Sequence, residues 1–349
     1  MKALLVFAVL ILASLAYAQD KPAGKVHGYV FGDYYYVAGA DTTASRGSGQ
    51  YSATKKDFQG FQFRRVYLYY EHNLSEQFFA QFLLEGNNKV FDNLSQHSVF
   101  IKTAYLEWKD ILPNQNLTIG LVPTPTWSWS FAEKTWNYRS IEKTIVDFRG
   151  LGSAVDMGIS MRGKIDDAGM FGYVAMIGNG QGAKAENNKY KKFYGQLNAK
   201  PTKELLLEGY VDFEPNLGDK NKTTLKGFAA YQTKEFTIGA EVVQQTQAKV
   251  GVNGADIVPF GLALFAWAPI PGVEGLNAFG RFDYFDNNTK VSDAGYKENF
   301  FVAGLDYMPI KDVHIMPNIW VNTYSNKKSG GPTRDADVVG RLTFFYVYK

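Results

Sequence analysis

Between residues 154 and 162 the chain alternates without a break. Val155, Met157, Ile159 and Met161 fall on one face, and Ala154, Asp156, Gly158, Ser160 and Arg162 on the other. A period of two is the mark of a strand with one apolar and one polar face. A single such segment suits a soluble sandwich well enough, but here the rhythm recurs along almost the whole chain. It predicts strands at residues 26–37, 61–72, 78–85, 103–108, 117–121, 154–162, 170–178 and 192–199, and again at 205–213, 224–232, 236–244, 257–268, 276–285, 299–307, 313–324 and 336–348.

The connections between these strands alternate short, long, short, long. A polar stretch at 38–59 is followed by a tight turn at 73–76, a polar loop at 86–98 by a turn at 113–114, and so on to the end. A soluble all-β array has no reason to keep that order, whereas a transmembrane barrel has short turns at one rim and long loops at the other. The predicted fold is therefore all-β: a transmembrane antiparallel barrel of about sixteen strands, with both ends of the chain on the short-turn side. The last strand agrees, with Gly340, Leu342, Phe344, Tyr346 and Tyr348 on one face as a lipid-side stripe ending in aromatics. A secreted sandwich is the alternative fold.

One stretch breaks the rhythm. Residues 123–152 open on Pro123 and Pro125, which resist ladder pairing. They then crowd Trp127, Trp129, Phe131, Trp136 and Tyr138 among charged residues. The stretch is too long for a hairpin connection and too aromatic for a solvated loop. It reads as a constriction loop folded into the barrel, with a short helix at 140–148; the alternative is an external loop with an aromatic underside.

Residues 1–18 read as a secretory signal: Lys2 as a basic start, an apolar run to Leu15, and Ala16-Tyr17-Ala18 before Gln19. The expected organisation is that leader, then a single barrel domain over 19–349. The chain has no cysteine, which excludes a disulfide framework. Its mean hydropathy of −0.23 suits a barrel, because lipid-facing and lumen-facing residues cancel. There are 37 basic and 34 acidic residues, and that near balance argues against a nucleic-acid partner.

The residues 61–86 (FQFRRVYLYYEHNLSEQFFAQFLLEG), 102–110 (KTAYLEWKD), 117–125 (LTIGLVPTP) and 133–159 (EKTWNYRSIEKTIVDFRGLGSAVDMGI) together resemble the superfamily of the phosphate-selective porins O and P, nearer to its uncharacterised members. The resemblance covers about residues 61–178, and its most distinctive block is E-K-x-W-x-Y-R-x-x-E-K. It implies a trimeric, sixteen-stranded porin whose third long loop enters the lumen. It also implies the outer membrane of a Gram-negative-type bacterium, with outer-membrane lipid around the barrel.

The function expected from this reading is passive diffusion of small hydrophilic solutes or inorganic ions through a water-filled pore, with a weak anion or phosphate preference left open. A pore selects by its width and by the charges at its narrowest ring. On the loop the candidates are Glu133, Lys134, Arg139, Glu142, Lys143, Asp147 and Arg149. On the wall, alternation turns inward Arg65, Glu85, Glu107, Asp156, Arg162, Lys192, Glu208, Asp212, Lys226, Glu241, Arg281, Asp283, Asp306 and Arg341. Loop acids facing wall bases would set up a transverse field. The plainer reading of each residue is a charge paired with a neighbour in a wet lumen. Phosphate-selective relatives line the lumen with stacked arginines and a lysine cluster, and this chain has a sparser set.

Several residues stand outside the scheme. Arg64 cannot share the face of Arg65 unless it sits at a bulge; otherwise it snorkels or lies in a subunit contact. Lys189, Lys191 and Lys192 form a basic patch beside an outer loop. The four histidines lack metal-ligand spacing, and Asp286 and Asp293 lack a calcium-loop pattern. The glycines at 178–182 are not followed by a helix pattern, so they read as a hairpin loop. No nucleophile motif, cofactor motif or metal motif is present in the sequence. The competing functions are an outer-membrane barrel enzyme and a plugged structural barrel without transport.

Overall fold

The computed structural model describes residues 24–41, 55–91 and 96–349. The expected leader at 1–18 and most of the 38–59 loop lie outside the described residues. Sixteen antiparallel strands close on themselves, each pairing with its sequence neighbours and the first with the last. The first eight are β1 (Lys25–Gly39), β2 (Gln59–Asn73), β3 (Phe78–Phe91), β4 (His97–Leu112), β5 (Gln115–Pro123), β6 (Val155–Lys164), β7 (Phe171–Gly178) and β8 (Lys192–Ala199). The second eight are β9 (Leu205–Glu214), β10 (Lys222–Gln232), β11 (Thr237–Gln247), β12 (Phe260–Pro269), β13 (Leu276–Asp286), β14 (Tyr296–Ile310), β15 (Val313–Asn326) and β16 (Asp337–Tyr348).

Alternation places the side chains as expected. Leu68, Ile119, Ile159, Leu197, Leu225, Ile238, Leu264, Ile319 and Leu342 point outward and are exposed, while Asp156, Asp212, Lys226, Asp283 and Arg341 point inward and are buried. Closing the sheet removes both edges, so every strand's backbone groups have a partner on each side.

Two differences from the alternation pattern matter. The polar 86–98 segment is not all loop, because β3 runs on to Phe91 and β4 starts at His97. Polar residues continue these strands beyond the apolar band, where both faces are wet and alternation no longer marks them. In addition, β2 and β4 each carry a bulge. Phe31 pairs with Arg65 and the next residue, Gly32, with Phe63, which leaves Arg64 over. Leu83 pairs with Thr103 and Leu84 with Ile101, which leaves Lys102 over. A bulge lets two successive side chains share a face. Arg64 therefore joins Arg65 inside the barrel, and Lys102 joins Thr103.

The seam between the chain ends is tight. Gly28 on β1 faces Tyr348 on β16, and the Tyr348 hydroxyl reaches across it to donate to the Tyr67 carbonyl oxygen on β2, 2.7 Å away. A Cβ at Gly28 would stand 2.0 Å from that carbonyl and 2.4 Å from the Tyr348 hydroxyl.

Candidate functional site: the gap between the inner loop and the barrel wall

The segment between β5 and β6 lies inside the barrel. It holds two short helices, α1 (Phe131–Trp136) and α2 (Ile145–Phe148). The expected single helix at 140–148 is thus shorter at its start, and α1 was not anticipated. Pro-rich entry and scattered aromatics gave no helical period there. The wall supplies what the sequence lacked. Glu208 of β9 accepts from the Ser130 hydroxyl at 2.9 Å and from the Phe131 amide at the start of α1, so a wall carboxylate caps the helix.

Consecutive strands then hold the loop in turn. The Gln196 amide of β8 donates to the Pro125 carbonyl (3.3 Å) and Lys226 of β10 to the Ser130 hydroxyl (3.1 Å). Gln245 of β11 donates to the Leu151 carbonyl (2.7 Å) and the Trp267 indole of β12 to the Thr135 carbonyl (3.0 Å). Arg281 of β13 donates to the Lys143 carbonyl. Glu298 of β14 pairs with Arg149 at 2.6 Å, and the Trp320 indole of β15 donates to the Glu142 carboxylate at 3.2 Å. Arg341 of β16 donates to the Ile141 carbonyl (3.2 Å). From β2, Arg64 donates to the carbonyls of Ser140 and Ile141 at 2.7 and 2.8 Å.

Between these bonds the loop packs dry. Trp136, Ile141 and Ile145 are among the largest fully buried side chains. Tyr138 stacks on Phe279 at 4.5 Å, and Phe148 meets Phe300 at 5.0 Å.

On the other side, apart from the Arg64 bonds and Trp127 packed against Tyr67 and Leu83, the loop stands off from β2, β3 and β4 and leaves a cavity of about 330 Å³. Six cationic side chains line it: Arg64, Arg65, Lys89, Lys102, Arg139 and Lys143. Two carboxylates do, Glu85 and Glu142. Glu85 sits between Arg65 and Lys102, 3.1 Å from each. Arg139 bridges Glu133 (2.6 Å) and Asp147 (2.8 Å), and Lys143 reaches Asp147 at 2.7 Å. Burial pushes the Asp147 carboxyl up, but Lys143 and Arg139 outweigh it and hold it well below its ordinary range. Burial likewise works against the charge on Arg139, and Glu133 and Asp147 more than offset it.

Of the seven loop candidates, Arg139, Glu142 and Lys143 line the gap, while Glu133 and Asp147 stand behind it as partners of its cations. Lys134 is exposed elsewhere, acted on by Arg162, Lys200 and Glu208. Arg149 is buried against Phe148 and Phe285. Of the wall candidates, Arg65 and Glu85 line the gap. Arg162 pairs with Glu107 at 2.6 Å. Asp156 accepts from the Gly180 and Gly182 amides and so fixes the 178–182 hairpin. Lys192 turns inward to Asp212 at 3.1 Å and so leaves the expected outer basic patch. Lys226 is closed by Glu208 and Glu241. Arg281 is chelated by Asp283 at 2.6 and 2.7 Å, and Arg341 donates to Asn318 at 2.6 Å.

Of the loop's acids, Glu133 and Asp147 fold back onto the loop's own cations, while Glu142 faces Arg64 of the wall at 4.0 Å, so the expected pairing of loop acids with wall bases is limited to that one carboxylate. Of the three explanations weighed for Arg64, the bulge is the one the structure shows, whereas Lys102 was missed because strict alternation assigns it to the outer face. A cation at an outward position inside an apolar strand was the available signal. Asp286, weighed as a calcium ligand, receives the Lys327 ammonium, which also donates to the Asn288 carbonyl at 2.7 Å.

Solved structures resemble this arrangement. The anion-selective porin from Comamonas acidovorans superposes with a TM-score of 0.63 at 13% identity, covering 93% of this chain and 99% of that one. The fold is that of the porins. The outer membrane channel DcaP of Acinetobacter baumannii matches with a TM-score of 0.63 at 13% identity, over 93% of this chain and 96% of its own. The outer membrane protein OmpT of Vibrio cholerae, in its trimer form, matches with a TM-score of 0.60 at 12% identity, over 93% and 100%. No family model and no curated protein matches the chain. At these identities the likeness is one of architecture.

Proposed function

We propose that the protein is a porin of a bacterial outer membrane, passing small hydrophilic solutes by diffusion and favouring small anions. The observation that carries this is the lining of the gap, where six cations and two carboxylates face the space and the balancing Asp33, Glu133 and Asp147 stand behind the cations, inside a closed barrel whose outer surface is apolar. A narrow ring with excess positive charge raises the local anion concentration, and low-dielectric walls strengthen the effect. Two of the six cations are there because of bulges, so the excess is built into the backbone. The anion-selective porin and the trimeric form among the structural neighbours are consistent with this reading and with a homotrimer.

The dense packing of the loop against β8–β16 favours a second reading, a plugged barrel. Planar-bilayer recording separates the two. Stepwise conductance, with a reversal potential under a KCl gradient displaced toward the chloride equilibrium potential, supports the anion-favouring porin. Displacement toward potassium removes the anion preference, and verified insertion without conductance leaves the plugged barrel.

A further inference from the structure

Toward the short-turn rim, beneath the charged gap, the inward positions carry rings. Tyr29 of β1 meets Tyr67 edge-on at 4.7 Å, Tyr69 at 6.2 Å and Phe345 of β16 at 5.8 Å. Tyr69 stacks on His27 at 4.7 Å with an angle of 4°. Tyr67 continues upward to Trp127 of the inner loop at 6.4 Å. Trp127 in turn lies under Lys102 and Arg139, 5.5 and 5.7 Å from its ring, and both cations line the gap. The charged gap and the ring-lined stretch therefore adjoin, with the buried Tyr67 and Trp127 packed between them. Tyr29, Tyr69, His27 and Phe345 are only partly buried and so present surface to the lumen. Polar groups edge the rings: Glu71 pairs with His27 at 3.2 Å and accepts from Gln81 at 2.9 Å. The Tyr67 hydroxyl is buried without a hydrogen-bond partner among the described residues.

We propose that this stretch is a binding stage for ring-shaped sugar acids, pyranoses bearing one carboxylate. The inference rests on the porin reading above and names the solute class for it. Aromatic faces take the C–H face of a pyranose, and phenol and carboxylate edges take its hydroxyls, the division of labour by which amphipathic tyrosines bind polar rings. The carboxylate stays on the side of Lys102 and Arg139 while the ring lies on Tyr29 and Tyr69, with the fully buried Tyr67 behind them. An acyclic acid has the charge without the face. A flat aromatic acid has the face but no hydroxyls to offer the Glu71 carboxylate and the tyrosine edges, which works against it.

The test adds glucuronate, gluconate, glucose or benzoate to one side of a bilayer holding single open channels and reads the length of current interruptions. Glucuronate is expected to block about tenfold longer than gluconate or glucose, a difference worth ~1.4 kcal/mol. Tyr29→Leu and Tyr69→Leu are expected to shorten the glucuronate blocks toward those of gluconate, each judged against its own open-channel current. Tyr69→Phe, which keeps the ring, is expected to retain most of the difference. Equal blocks by glucuronate and gluconate, equal blocks by glucose, or longer blocks by benzoate overturn the proposal and leave the porin reading standing. Inserted protein that never opens overturns both.

Discussion

The inner loop meets the barrel in two ways. Along β8–β16 it is bonded strand by strand and packed dry, with Trp136, Tyr138 and Phe148 filling the space between Phe265, Phe279 and Phe300. Along β2–β4 it touches the wall only locally, through Arg64 and through Trp127 on Tyr67, and elsewhere charged side chains face it across a gap. Both walls are built from the same alternating strands. They differ in what occupies the inward positions: on one side rings pack the loop and charges such as Glu208, Lys226, Arg281 and Glu298 bond to it directly, and on the other two cations on bulged strands border a gap. Position and selectivity are thus assigned to opposite walls, and changes on the two sides should have separable effects.

The largest effect is expected on the packed wall. Trp136→Ala removes a fully buried indole that contacts Phe265 and Phe279, a loss of ~3–5 kcal/mol. Thermal unfolding in detergent should fall, and single-channel current should become noisy as the loop loosens. If the current stays quiet and unchanged in size, the packed wall does not position the loop.

Arg64→Met comes next. It strips a buried cation from Asp33 and from two loop carbonyls, and breaking such a buried pair typically costs ~3–5 kcal/mol, here softened by lumen water. Deleting residue 64 outright sharpens the point, because Phe63 and Arg65 already pair with successive residues of β1. The deletion should leave a regular ladder that still folds, with weaker anion preference. Failure to fold would mean that the bulge shapes the barrel itself.

On the charged wall, Lys102→Gln should cost less stability than Arg64→Met, because Arg65 stays on Glu85 at 3.1 Å, and should move the reversal potential toward the cation side. The preference of the unaltered protein should also fade as salt rises from ~0.1 M to ~1 M, since the screening length shrinks from ~10 Å to ~3 Å. A preference that ignores salt would point to size rather than charge.

The smallest effect concerns pH. The Asp147 carboxyl is held below its ordinary value. A depressed carboxylate contributes its stabilisation fully above the unfolded pKa, about 3.9, and loses it only as pH falls through the lower folded value. Conductance should therefore hold steady from pH 7 to about pH 4, and Asp147→Asn, which frees Lys143 and leaves Arg139 with Glu133 alone, should raise anion preference at neutral pH.

Most of the barrel was legible in the sequence because lipid on one face and water on the other force a period of two. The strand at Lys192–Ala199 appears at its expected bounds, and the inward charges fall where alternation puts them. What was not legible breaks that period. Arg64 and Lys102 differ from their neighbours only in the count of residues between partners, which one strand alone does not record. The start of α1 depends on Glu208, which lies 77 residues away from Phe131. Lys143 and Asp147 stand four residues apart, a spacing that pairs opposite charges locally, but the pairing of Asp147 with Arg139 depends on how the loop coils.

The seam has a further consequence. Every other neighbouring pair of strands is joined by a turn or loop, but β1 and β16 are brought together from opposite ends of the chain, with Thr343 donating to Asp33 across 310 residues. Until Tyr348 lies over Gly28, the sheet has two raw margins that any other strand can extend. A partly wound sheet is therefore not a smaller version of the finished one but a hazard to its neighbours. The cell's handling of this chain must shelter one margin until the other arrives, and a side chain at Gly28 would betray itself first as clumped, unclosed material rather than as an altered current.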